Sequence, residues 1–408
     1  MSREEKIKTV ISVVCAGFVA ACCYHYILGK CLGRGYPYNT FLFSPAARFS
    51  DFLELYKLGT SGIYFPFAGA IVRIFSIIKP ELVSLSVFLG IYVLFVFGYS
   101  WDSLKAPGTA NSLLRASFFS FFSFPVLFLF DRANFEMVVF IFLVLFMKCY
   151  RHDRMLCASF SLAGAIAMKL FPAVFLILMV SDRKYKYVVI TASLTLALTV
   201  LSIWSAGQDI SGYISQYLAN AGAYGEMYVV GISGLDYGHS IFGLLRSAIY
   251  YLHKDRYIPV VAEYYTITVL LLFMALSAYI TMIERLLWKK AALLVFAMCL
   301  FPHVSADYKL VHLFIPLFLF INLPDSEPVE PARKKPGAFV LSGKRLDYVY
   351  SFLFALLMIP KNYRFNPKIY AGVVVDPILM LLFMALIIYE GVHGKHEARK
   401  SAEKLPVN

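Results

Sequence analysis

Apolar and polar residues alternate along this chain in long blocks. Apolar runs lie near 9–28, 82–100, 112–130, 135–149, 186–204, 260–282, 289–302, 309–323, 346–360 and 369–390, many approaching the ~20 residues a bilayer-crossing helix needs. Two shorter apolar arms, 155–168 and 170–181, sit among them, and polar stretches cover 29–80, 205–258 and 324–345. With the arms included, the pattern predicts about ten to twelve spans. The alternation expected of a transmembrane barrel does not occur, and a helix satisfies its own backbone inside lipid. The expected fold class is therefore an all-α polytopic membrane protein with short re-entrant or broken helices.

Composition agrees. Of 408 residues, 60% are hydrophobic and 15% charged, more apolar surface than a soluble chain of this size can cover. The formal charge of +13 reads as membrane topology, because cytoplasmic loops collect Lys and Arg; no nucleic-acid partner is implied. With the N-terminus inside, more than half of the 38 Lys and Arg fall on cytoplasmic segments. Both long polar loops and the Asp131–Glu136 turn then face the other side. The N-terminal run 9–28 is long for a signal peptide, which predicts a retained first span. The seven cysteines sit mostly inside apolar runs without metal-ligand spacing, so neither a disulfide framework nor a zinc site is expected.

Candidate chemistry concentrates between Phe130 and Val180, where Asp131, Arg132, Asn134, Glu136 and Lys169 interrupt apolar sequence. Charges at membrane depth are functional candidates by default. The arms on either side of Lys169 hold about 13 residues each, a rise of ~20 Å against a hydrocarbon core of ~30 Å. Basic residues flank both outer ends: Lys148, Arg151 and Arg154 before, Arg183, Lys184 and Lys186 after. A re-entrant pair follows, with Lys169 at its apex just before Pro172 breaks the helix. Its ammonium there meets a phosphate, snorkels to an interface, or pairs with a structural carboxylate. Upstream, Asp51 lies between Phe49 and Phe52 in the first outer loop. It has the setting of a general base, or merely of a helix cap, with Glu54 one turn on as a rival for either role.

Several segments together resemble glycosyltransferase family 87 and, more distantly, the mannosyltransferase of GPI-anchor synthesis, both membrane-embedded and of the GT-C type. The matching segments are Arg48-Phe49-Ser50-Asp51-Phe52, Ile63-Tyr64-Phe65-Pro66, Arg132-Ala133-Asn134-Phe135-Glu136, Ala167-Met168-Lys169-Leu170-Phe171-Pro172 and Gly238-His239-Ser240-Ile241 through Arg246. A looser match is Phe301-Pro302-His303-Val304-Ser305. His239 stands where Asn is commoner, and the second Pro after Tyr64 is absent. The resemblance implies a GT-C-like catalytic module over 1–323 that includes the outer loops 29–80 and 205–258. A cytoplasmic linker (324–345), a C-terminal transmembrane pair (346–390) and a cytoplasmic tail (391–408) would follow.

The resemblance further implies an inverting transferase that moves one sugar, with mannose favoured, from a polyprenyl-phosphate carrier to a glycan or glycolipid acceptor. Asp51 would be the base. Lys169, Arg246, His303 and Lys309 would hold the donor phosphate, and Arg48, Tyr64, Arg132, Asn134, Glu136, His239 and Ser240 would line the pocket. No cofactor and no metal are expected, since protein cations suffice for one leaving phosphate. His312, inside an apolar run, is expected to pack between helices. The expected location is a bacterial inner membrane with the site facing the periplasm. Two other classes fit the same residues: a transporter or flippase of a lipid-linked saccharide, and a surface-glycan polymerase or ligase.

Overall fold

The computed structural model describes residues 1–35, 48–58, 64–207, 209–235, 238–323, 343–366 and 369–402. In chain order the helices are α1 Arg3–Tyr26, α2 Ser50–Leu58, α3 Pro66–Ser76, α4 Glu81–Ser103, α5 Thr109–Phe121, α6 Phe124–Arg132, α7 Glu136–Arg151, α8 Met155–Met168, α9 Leu176–Ser181 and α10 Tyr185–Ser205. They continue with α11 Ile210–Tyr224, α12 Ile241–Tyr251, α13 Ile258–Met282, α14 Leu287–Leu300, α15 Phe314–Ile321, α16 Gly343–Leu357 and α17 Ala371–Ala402. A small antiparallel ribbon, β1 Arg364–Asn366 with β2 Ile369–Tyr370, precedes α17. Most of the expected linker (324–342), the end of the tail, residues 36–47 of the first loop and Ile63 lie outside the described residues.

Among the described residues, five helical segments are long and apolar enough to cross a membrane: Arg3–Cys31, Glu81–Ser103, Tyr185–Ser205, Asp255–Met282 and Ala371–His393. A sixth arises if α5 and α6, bent by 56° at their junction, count as one span. The chain is thus an all-α, multi-pass integral membrane protein. Not every apolar run forms a single helix of full spanning length. The apolar runs at 135–149, 289–302 and 346–360 form helices of 16, 14 and 15 residues, and 309–323 forms a seven-residue 3₁₀ helix, Asp307–Leu313, that runs into the eight residues of α15. In α14, every residue from Ala291 to Leu300 is buried. A helix enclosed by protein need not match the lipid thickness, because neighbouring chain satisfies whatever its ends leave open.

The re-entrant pair is present. α8 ends at Met168, Lys169 takes an extended backbone (φ −162°, ψ 135°), and a 3₁₀ turn over Phe171–Phe175 leads into α9. The far ends of the two arms meet at one end of the bundle. There the Tyr150 hydroxyl donates to the Asp182 carboxylate (2.5 Å) and lies 2.9 Å from the Leu178 carbonyl, and Lys184 pairs with Asp153. α7 and α8 form a tight hairpin, and Cys149 is joined to Cys157 across its turn. That disulfide departs from the cysteine reading above. The partners lie eight residues apart on different helices, a pairing that the turn creates and linear spacing conceals.

Close approach in this hairpin depends on Gly164, where a Cβ would stand 2.8 Å from the Phe142 ring. Small residues at helix contacts allow such approach in membranes. Gly164→Val is expected to destabilise the protein by about 1–3 kcal/mol through overpacking, read as a lower thermal midpoint in detergent.

Candidate active site

Asp51 opens α2, and its carboxylate faces across to the end of α6 and the start of α7. Arg132, the last residue of α6, spans it with two nitrogens: Nε stands 3.2 Å from Oδ2, and Nη2 bonds Oδ1. Asn134 Nδ2 donates to the same Oδ2 at 2.6 Å and to the Tyr64 hydroxyl oxygen at 2.9 Å. Three donors on two oxygens leave about one lone-pair position open on the carboxylate, at Oδ1. A helix cap does not account for these contacts, which come from side chains 81 and 83 positions away. Glu54 is exposed on the outer face of α2 and takes no part.

The turn that carries these donors is built locally. Ala133 adopts a left-handed conformation (φ 49°) that ends α6, and the Asn134 carboxamide oxygen accepts from the Glu136 backbone N–H at 2.8 Å as α7 begins. Arg48 joins from the side through Asp131 (3.2 Å), whose carbonyl accepts from the Phe49 N–H at 2.8 Å. Beneath the network the Phe52, Phe75, Phe88 and Phe135 rings pack with centroids 4.9–6.0 Å apart. An apolar floor of this kind strengthens the charge interactions above it.

Glu136 links the network to Lys169. Its Oε2 accepts from Lys169 Nζ at 2.6 Å, and its Oε1 lies 2.8 Å from His312 Nε2. Lys169 therefore does pair with a carboxylate. It also stands 5.3 Å from the Tyr64 ring centroid and 5.9 Å from that of Tyr308. The Phe65 N–H donates to the Met168 carbonyl at 3.3 Å, which ties the Tyr64 segment to the broken helix. Burial first, then Tyr308 and the carboxylates of Asp51 and Glu136, push the Tyr64 hydroxyl well above its ordinary pKa. It stays a neutral donor.

Lys309 differs from every other cation here. Its side chain is 3% exposed and its ammonium has no hydrogen-bond partner among the described residues. It lies over the Phe171 ring at 4.4 Å, close enough to Lys169 and Glu136 to feel both charges. A buried ammonium without an acceptor is costly.

The profile of glycosyltransferase family 87 matches residues 63–302. The chain belongs to that family. It is accordingly a membrane glycosyltransferase. No curated protein and no solved structure matches it. For this family 87 member the matched range contains Tyr64, Arg132, Asn134, Glu136, Lys169, His239, Ser240 and Arg246, whereas Arg48, Asp51, His303 and Lys309 lie beyond its ends.

The structure thus brings Asp51, Tyr64, Arg132, Asn134, Glu136 and Lys169 into one bonded network, with Arg48 at its margin and Lys309 beside it. The other expected residues sit elsewhere. Arg246 is buried, and its Nη1 donates to the carbonyls of Tyr228 (2.6 Å) and Val229 (3.0 Å), holding the 205–258 loop. Tyr224, in that loop, feels both Lys169 and Arg246. His303 lies 3.1 Å from the Ala262 carbonyl, between the Phe242 and Tyr265 rings. Ser240 caps α12, accepting from the Gly243 N–H (3.0 Å) and donating to the His303 carbonyl (3.1 Å). His312, expected only to pack, is a direct partner of Glu136. That partner is 176 positions away, and nothing local in the sequence announces it.

His239 belongs to a second buried group. Its Nδ1 lies 2.6 Å from Asp307 and 3.5 Å from Asp376, and Lys361 bonds Asp376 at 2.8 Å. The ligand atoms of His239, Asp307 and Asp376 fall within 4.8 Å of one another, a donor set able to approach a cation. Lys361 already fills the cation's place on Asp376, so two positive and two negative groups balance. Burial opposes the imidazolium, but Asp307 and Asp376 outweigh it and raise His239 from 6.5 to about 10. Stability from this charge is complete below pH 6.5 and is lost as pH rises through about 10. The thermal midpoint should fall over that window in the native chain and much less in His239→Gln.

Proposed function

We propose that the protein is an inverting hexosyltransferase that moves one sugar, mannose favoured, from a polyprenyl-phosphate carrier to a glycan or glycolipid acceptor. The reaction takes place on the non-cytoplasmic face of the membrane, which in a bacterial inner membrane is the periplasmic face. Asp51 accepts the acceptor hydroxyl proton as the oxygen attacks the anomeric carbon. The bond from that carbon to the carrier phosphate breaks, and polyprenyl phosphate leaves with one more negative charge. Lys309 and Lys169 stabilise this charge in a water-poor setting, where fixed cations count most. Tyr64 donates a hydrogen bond to substrate, while Arg132 and Asn134 hold the base in place.

The observation that carries this reading is Lys309, a buried ammonium lacking an acceptor beside the Asp51–Glu136–Lys169 network. An anion that arrives with the donor supplies what it lacks. The test is transfer by the purified protein from radiolabelled polyprenyl-phosphate mannose to an extracted membrane glycolipid fraction. Product with inverted anomeric configuration supports the reading. Movement of the lipid-linked sugar across proteoliposomes without any new glycosidic bond refutes it. Because the lysines supply the positive charge, transfer is expected to proceed at an unchanged rate in EDTA. Loss of activity that Mg²⁺ or Mn²⁺ restores contradicts this assignment.

A further inference from the structure

A cavity of about 600 Å³ opens at the end of the bundle opposite the Asp51 network. α7 starts at Glu136 in that network and reaches the cavity wall at Arg151, a helix of 16 residues, or about 24 Å. The wall carries Arg3, Lys105, Lys148, Arg151, His152 and Arg154, against Asp102 as the one carboxylate among the lining residues. Asp102 is already shared by Lys105 (3.1 Å) and Lys148 (2.8 Å). Arg3 is engaged with the Asn322 carboxamide oxygen (2.9 Å) and the Ser103 carbonyl (3.1 Å). The Arg151 and Arg154 guanidiniums have no hydrogen-bond or ion-pair partner among the described residues. Both flank the turn that the Cys149–Cys157 disulfide and the Lys184–Asp153 pair hold in shape. Tyr99, Met147 and Phe318 supply an apolar floor.

We propose that this cavity binds a phosphate-bearing ligand on the face opposite the candidate active site. The volume suits a small ligand or lipid headgroup, since ligand pockets span about 300–1,000 Å³. Planar guanidiniums meet phosphate oxygens two at a time, which a lone surface lysine does not do. Arginines at a helix end also attract any anionic surface without forming a site. Concavity and the spare positive charge set this cluster apart, and the experiment separates the two cases.

The purified full chain in neutral detergent is titrated calorimetrically with inorganic pyrophosphate. In a second arm its thermal midpoint is measured in phosphatidylcholine nanodiscs with and without phosphatidylglycerol. Heat in the first arm identifies a soluble phosphate; stabilisation in the second identifies a lipid headgroup. Whichever response the native chain gives, Arg151→Gln with Arg154→Gln should abolish it or weaken it at least roughly tenfold, as expected for losing a bidentate contact. Lys8→Gln with Lys186→Gln, which removes two exposed cations outside the cavity, should leave it within about twofold of native. Should the double Gln variant misfold, Arg151→Lys with Arg154→Lys keeps the charge and should still weaken binding. No response from the native chain in either arm, or equal loss in the cavity and control variants, overturns the proposal.

Discussion

Asp51→Asn is expected to lower sugar transfer by roughly 10²–10⁴-fold, the range that a positioned general base contributes. Asn keeps the shape of the side chain and one carbonyl oxygen, so Asn134 and Arg132 retain a partner to bond. It cannot take the acceptor proton. The loss should therefore appear in kcat, with the KM for the lipid-linked donor changed little. Folding should survive, because both members of the ion pair retain contact with solvent, at 13% and 21% side-chain exposure. Arg132→Gln separates base from support. It leaves the proton acceptor in place while loosening its orientation, so a smaller fall in kcat is expected. Native-rate transfer by the Asp51→Asn protein rules out this residue as the base.

Lys309→Met is expected to cost roughly 10²–10³-fold in kcat/KM, the scale of removing one preorganised group that stabilises a developing charge. Its effect on stability should run the other way. An ammonium that is 3% exposed and lacks an acceptor penalises the empty fold, so a methionine of similar length should leave the thermal midpoint unchanged or raise it. Lys169→Met offers the contrast. It leaves the Glu136 carboxylate, only 2% exposed, with His312 in place of two partners, and breaking a buried pair typically costs about 3–5 kcal/mol. One lysine thus serves activity at the expense of stability, while the other serves both. A clear drop in midpoint for Lys309→Met would instead assign that residue to the scaffold.

The sequence made the class and much of this site legible for physical reasons. Block hydropathy needs only composition, and a helix is its sole consistent reading. Charged residues interrupting apolar sequence marked the Arg132–Glu136 turn and Lys169, because their cost at membrane depth demands an explanation. Basic residues beyond both arms foretold that 155–168 and 170–181 return to the same end, as the Tyr150–Asp182 bond shows. Lone residues far apart in the chain were harder. His312 looks like core filling until Glu136 stands opposite it. His239 carries a resemblance to a pocket motif, yet Asp307 and Asp376 arrive from distant segments to form a separate balanced cluster. The family resemblance implies Arg246 and His303 as phosphate ligands, and in the structure backbone carbonyls meet them. Several apolar runs fold into helices shorter than their hydropathy suggests, because burial inside the bundle frees a helix from bilayer length.

The most direct test is a cryo-EM structure of the native chain in nanodiscs with polyprenyl phosphate bound. The phosphate is expected within hydrogen-bonding range, about 3 Å, of Lys309 Nζ and beside Lys169. The sugar-side space should open towards Asp51 Oδ1. A phosphate seated away from Lys309, with Asp51 closed off from it by protein, contradicts the account.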